Sequence, residues 1–102
     1  MQRLIGKSVA FQFESGFTVE AHYLDATHMR WSARGQSGTE GISVATVSPD
    51  ILFISWVENS GTTVSHVLDL IRHTVWSFVS YTGAAGREGR ADRGTWKFVD
   101  SK

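Results

Sequence analysis

Four histidines, at positions 22, 28, 66 and 73, and a glutamate beside a tryptophan are the side chains of this 102-residue chain best suited to chemistry. No two histidines stand as His-x-His or His-x-x-x-His, the spacings that put two imidazoles on one metal. Glu20 and His22 share a face and could begin such a site. Zinc needs a third and fourth ligand, so two solvated polar residues are the simpler reading, and no metal is expected. The chain has no cysteine, which removes disulfides, thiol nucleophiles, thiolate zinc sites and iron–sulfur clusters. The serines lack a nucleophile-elbow context, and no glycine-rich loop follows a strand and opens a helix. No cofactor is implied.

The segment from Ser55 to Ser65 is the most informative. Trp56 and Glu58 are two apart, so on a strand they share a face. If that face is inward, a carboxylate lies against an aromatic wall, suited to proton transfer or to orienting a polar ligand. From spacing alone, a solvated glutamate flanking a turn is the favoured alternative. A turn at Asn59-Ser60-Gly61 sets Thr62 opposite Glu58, Val64 opposite Trp56 and His66 opposite Ile54. Glu58 and His66 are then about 13 Å apart along the strands. That excludes a direct dyad and leaves His66 as a lone core or cavity histidine.

Strands must position these residues. Residues 7–14 alternate, with Val9, Phe11 and Phe13 on one face, and residues 17–24 alternate again after Ser15-Gly16, so the two read as a hairpin. Met29 and Trp31 share a face of a third strand at 28–33, and a fourth is expected at 42–47. Residues 34–41 contain three glycines and no apolar side chain and read as a loop. Residues 51–58 are nearly all apolar, which predicts a strand buried on both faces. Strands at 62–70, 74–81 and 95–100 follow, with 82–94 as a mobile loop of four glycines and five charges. A helix at 65–72 is the main alternative, but it is too short to be stable alone. The expected fold is all-β: a single antiparallel up-and-down β-barrel of about eight strands, spanning residues 1–102 as one domain.

Composition agrees. Aromatics reach 12 %, with four Trp and a single proline, the make-up of strands and turns. Ten basic residues balance ten acidic ones, so nothing argues for a nucleic-acid partner. The longest apolar stretch is about seven residues, against about 20 for a membrane helix. No signal-peptide apolar region opens the chain. The expectation is a cytoplasmic protein with no membrane partner; a homodimer is allowed.

The run Ser55-Trp56-Val57-Glu58, then Gly61-Thr62-Thr63-Val64-Ser65, resembles a stretch of the bacterial phenolic acid decarboxylases. Ile5-Gly6, Phe11 to Phe17 and Glu20 resemble their first hairpin. The fuller resemblance is to the MoaF-like group. It rests on Gly6-Lys7, a tryptophan in the third strand, the Ser-Trp-x-Glu strand, the pattern from Thr62 to Asp69, and Thr74-Val75-Trp76. The resemblance implies a calycin-type, lipocalin-like barrel with a central pocket that holds the glutamate matching Glu58. In the decarboxylases two tyrosines of the first strand hold the substrate carboxylate; here those positions are Phe11 and Phe13. Their arginine is matched nearest by Arg34.

Three functions follow. The first is binding of a small apolar or aromatic ligand, with Phe11, Phe13, Val19, Met29, Trp31, Trp56, Val64, His66, Val79 and Tyr81 on the inward faces beside Glu58. The second is a cofactor-free lyase or cyclase with Glu58 as general acid/base. The third is an interaction module whose interior is packed solid.

Overall fold

Period-two alternation builds the molecule. The computed structural model describes residues 1–99. It contains β1 (Ser8–Phe13), β2 (Thr18–Tyr23), β3 (His28–Ala33), β4 (Gln36–Gly41), β5 (Ser43–Ser48), β6 (Ile51–Val57), β7 (Thr63–Asp69), β8 (Thr74–Gly83) and β9 (Gly86–Val99). No helix occurs among the described residues. The strands form one antiparallel sheet in the order β4-β3-β2-β1-β9-β8-β7-β6-β5. Every strand pairs with its sequence neighbour except at β4/β5, and β1 pairs with β9. The all-β up-and-down sheet therefore curls into a half-barrel, open along the seam between β4 and β5.

The described residues form nine strands rather than about eight, and the seam explains the count. Eight antiparallel steps separate β4 from β5 in the sheet, so the two run in the same sense. Only Ile42 lies between them, its N–H bonded to the Thr27 carbonyl at 2.8 Å. They are two halves of one long path that bends at Ile42, the first laddered to β3 and the second to β6.

Three expectations are corrected. Residues 34–41 do not form a loop: Arg34-Gly35 is a two-residue hairpin turn and β4 follows it. Both turn residues have positive φ, 53° at Arg34 and 76° at Gly35, as the tight hairpin turns that match strand twist require. Arginine is an unusual residue there, so the local signal is weak. Residues 82–94 are not a loop either; they belong to a long β8–β9 hairpin laddered out to Gly83↔Gly86. Its outer end projects past the barrel and is wetted on both sides, so no apolar alternation marks it. The expected last strand at 95–100 is thus the end of β9, and Asp100 lies outside the described residues. Finally, β6 buries one face only: Phe53 and Val57 are 39 % and 66 % exposed. The helical alternative at 65–72 is also overturned, because β7 is held between β6 and β8.

The two ends of the barrel differ. The N-terminal residues lie across the base. Gly6 N–H bonds the Tyr23 carbonyl at 2.7 Å, and Arg3 reaches Pro49 O at 2.6 Å and Asp50 at 3.0 Å. Leu4 is sealed there with Val9, Tyr23, Leu52, Ile54, Leu68 and Val75. The opposite end carries the turns after β1, β3, β6 and β8, and no strand or helix among the described residues crosses it.

Candidate functional site

The inner faces of β1, β2, β3, β6, β7 and β8 meet in a cavity of about 610 Å³ at the unplugged end. Ladder register decides who faces in, because directly paired residues share a face. Trp56 pairs with Val64, and Val64 with Val79. Ile54 pairs with His66, and His66 with Ser77. Phe11 pairs with Val19. All eleven candidate residues line this one cavity: Phe11, Phe13, Val19, Met29, Trp31, Trp56, Glu58, Val64, His66, Val79 and Tyr81. An interior packed solid, the third function considered, does not fit a hollow of this size.

Two tryptophans line the cavity, and each indole is pinned by a carboxylate. Trp56 Nε1 donates to Glu58 Oε2 at 3.1 Å, and Trp31 Nε1 donates to Glu40 Oε2 at 3.0 Å. Trp31 lies flat against β4 at Gly38, where a Cβ would come within 2.9 Å of the indole nitrogen. Only glycine leaves that approach free. Glu58 is therefore held at the cavity mouth and is half-buried. One of its oxygens already carries the indole hydrogen bond.

His66 lies deep among rings. Its centroid is 5.0 Å from Phe11, 6.1 Å from Phe13 and 5.1 Å from Trp56. It is 4 % exposed, and burial pushes its pKa down to about 4, so the imidazole is neutral at neutral pH. Nδ1 is sealed without a hydrogen-bond partner.

Several lining residues were not singled out from the sequence. Ser77, 6 % exposed, follows from the alternation through Val75, Val79 and Tyr81 once the strand is placed. Asp92 and Arg90 sit opposite Ser77 and Val79 on β9, in the stretch that reads as a loop, so no periodic signal found them. Asp92 accepts from Ser15 Oγ at 2.6 Å, which with other hydrogen bonds holds its carboxyl below the usual carboxylate range. Arg34, Gln36 and Thr62 complete the mouth, with the Arg34 guanidinium 5.0 Å above the Phe17 ring.

The other histidines lie elsewhere. His22 Nδ1 bonds Ser8 Oγ at 2.8 Å, His28 pairs with Asp25 at 3.2 Å, and His73 stacks on Trp96 at 4.0 Å. No three His, Asp or Glu side chains gather as a metal site among the described residues. A second hollow, about 640 Å³, involves Gln12, Thr18, Glu20, Ser32, Thr95 and Lys97. These alternate with inward residues, so it is largely a groove on the outer side of the sheet, rimmed by solvated polar groups. No helix among the described residues is long and apolar enough to cross a membrane.

A family model described as MoaF-like matches residues 5–92. A Burkholderia vietnamiensis protein, described provisionally as a beta-lactamase, superposes with a TM-score of 0.83 at 25 % identity, covering 94 % of this chain and 95 % of that one. Rhizavidin in complex with biotin superposes at 0.62 with 14 % identity over 97 % of this chain and 98 % of that one. Rhizavidin also matches in a second crystal structure, at 0.61 and 13 % over 99 % and 88 %. At these identities the rhizavidin likeness is one of fold. No curated protein matches the chain.

Proposed function

The chain belongs to the MoaF-like family, and from that premise we propose that it binds a small apolar or aromatic molecule inside the open end of the barrel. The observation that carries this reading is the aromatic-walled cavity of about 610 Å³. Phe11, Phe13, Trp31 and Trp56 offer flat apolar surface, and a few polar groups converge on it, the usual make-up of a small-molecule site. Rhizavidin, which shares the fold, was solved with biotin, so a barrel of this kind can hold a small ligand. The same proposal places the chain in the cytoplasm, working without metal or cofactor, alone or as a homodimer.

The test is titration of the purified protein with fluorene, a flat uncharged hydrocarbon, followed by tryptophan emission. The expected result is a saturable change, of which Trp56→Phe removes part and weakens affinity about fivefold. No saturable change with fluorene, and no co-purifying small molecule in native mass spectrometry, would overturn the reading.

A second reading is supported by the position of Glu58. A carboxylate on the cavity mouth, oriented by the Trp56 indole, is placed to exchange a proton with a bound molecule. In that reading the chain is a cofactor-free lyase or cyclase and Glu58 is its general acid/base.

A further inference from the structure

We infer that the ligand carries an uncharged carbonyl-type acceptor, which enters deepest and is hydrogen-bonded by His66 and Ser77. This rests on the ligand-binding reading and names the chemistry of the ligand.

The inner face of β6–β9 carries one row of directly paired residues: Ile54, His66, Ser77 and Asp92. His66 and Ser77 are buried polar side chains, 4 % and 6 % exposed. Both line the cavity in an otherwise aromatic and aliphatic depth. A polar group buried against rings costs stability unless something pairs with it.

The imidazole points to the kind of partner. It is neutral, so one ring nitrogen carries the proton and the other a lone pair. Nδ1 is sealed and unpartnered, while the residue itself lines the cavity. An orphaned N–H is the rarer and costlier arrangement, which leaves the lone pair on Nδ1 and the proton on Nε2. His66 thus presents a donor to the cavity. The Ser77 hydroxyl, on the neighbouring strand, presents a second.

Charge then separates a carbonyl from a carboxylate. Among the described residues no lysine or arginine is buried. The one formal charge on the row is the Asp92 carboxylate, which accepts from Ser15 Oγ and is neighboured by Arg90, and it offers an anion beside Ser77 no attraction. The lining arginines, Arg34 and Arg90, are exposed. Two neutral donors in a low-dielectric pocket suit a ketone, lactone or amide oxygen.

The experiment compares fluorenone with fluorene, which have nearly the same shape and differ by the carbonyl, using isothermal titration calorimetry. Wild type is expected to favour fluorenone about five- to tenfold. His66→Phe, which keeps an aromatic ring, and Ser77→Ala should each shrink that preference, read as the ratio of the fluorenone and fluorene affinities within the same variant. Equal affinities in wild type, or a preference that survives both substitutions, would overturn the inference. If fluorene binds and fluorenone gains nothing, the inference fails alone. If neither binds, it fails together with the ligand-binding reading. Should His66→Phe fold poorly, Ser77→Ala decides.

Discussion

The base and the mouth of this barrel are written in the same alternation and end in opposite states. At the base, Leu4, Val9, Leu52, Leu68 and Val75 interdigitate and the N-terminal residues seal the end. At the mouth, Phe11, Phe13, Trp31 and Trp56 stand against the walls and leave a hollow. What separates them is anchoring. Each mouth tryptophan is tied back to its own wall by a carboxylate at 3.0–3.1 Å. The aliphatic side chains of the base have no such tether and fill the axis. Large residues therefore do not by themselves make a filled core; rings pinned along the walls can hold a space open.

The largest effect expected from this contrast is on stability. Leu68→Ala, at a sealed base position, should cost about 2–5 kcal/mol, because the packed neighbours cannot collapse into the gap. Val79→Ala, on a wall that already faces the hollow, should cost roughly 1 kcal/mol or less. Urea unfolding of both variants measures this. Similar losses at the two sites would break the distinction between a filled base and a hollow mouth.

Acid comes next. The pKa of His66 is near 6.5 in the unfolded chain and about 4 in the folded one. Below pH 6.5 the unfolded chain takes up a proton that the folded one refuses, so stability falls as pH drops from about 6.5 towards about 4. The full loss is about 3 kcal/mol. Asp25, Asp69 and Asp92, whose carboxyls are held below their ordinary range by hydrogen bonds, add losses at lower pH. His66→Phe isolates the first effect and should flatten the stability profile between pH 6.5 and 4.5, as read by urea unfolding at each pH. A profile unchanged in that variant would show that the imidazole is wetted in the folded state.

The smallest effect is at the rim. Glu58→Gln keeps an oxygen that can accept from the Trp56 indole, so stability should change by less than about 0.5 kcal/mol. A larger loss would mean that the charge itself holds the wall. The same variant decides the second function. Loss of a lyase or cyclase turnover that wild type supports would establish Glu58 as the proton-transfer group, and retained turnover would remove it.

Much of this was legible in the residues, and the failures share a cause. The pairs Trp56 with Val64 and Ile54 with His66 follow from one turn, Asn59 to Gly61, because a strand's period of two leaves no freedom once a hairpin's turn is placed. The inward set of β1, β2 and β3 follows in the same way. β4 and the outer part of β9 did not, because their ladders are satisfied by backbone groups that every residue carries. Gly38 is small because Trp31 from the next strand lies on it, and nothing local to residues 34–41 says so.

The chain by itself thus determined an antiparallel up-and-down sheet and the side chains on its inner face. Alternation is a local property, and burying one face is enough to enforce it. Only the tertiary structure decided the nine-strand order with its seam at Ile42, the sealed base and the open mouth. It alone also decided that His66, Ser77 and Asp92, from three strands, form one row. Those depend on pairings between residues distant in the chain and on which rings are pinned to which wall, and no single stretch of sequence encodes either.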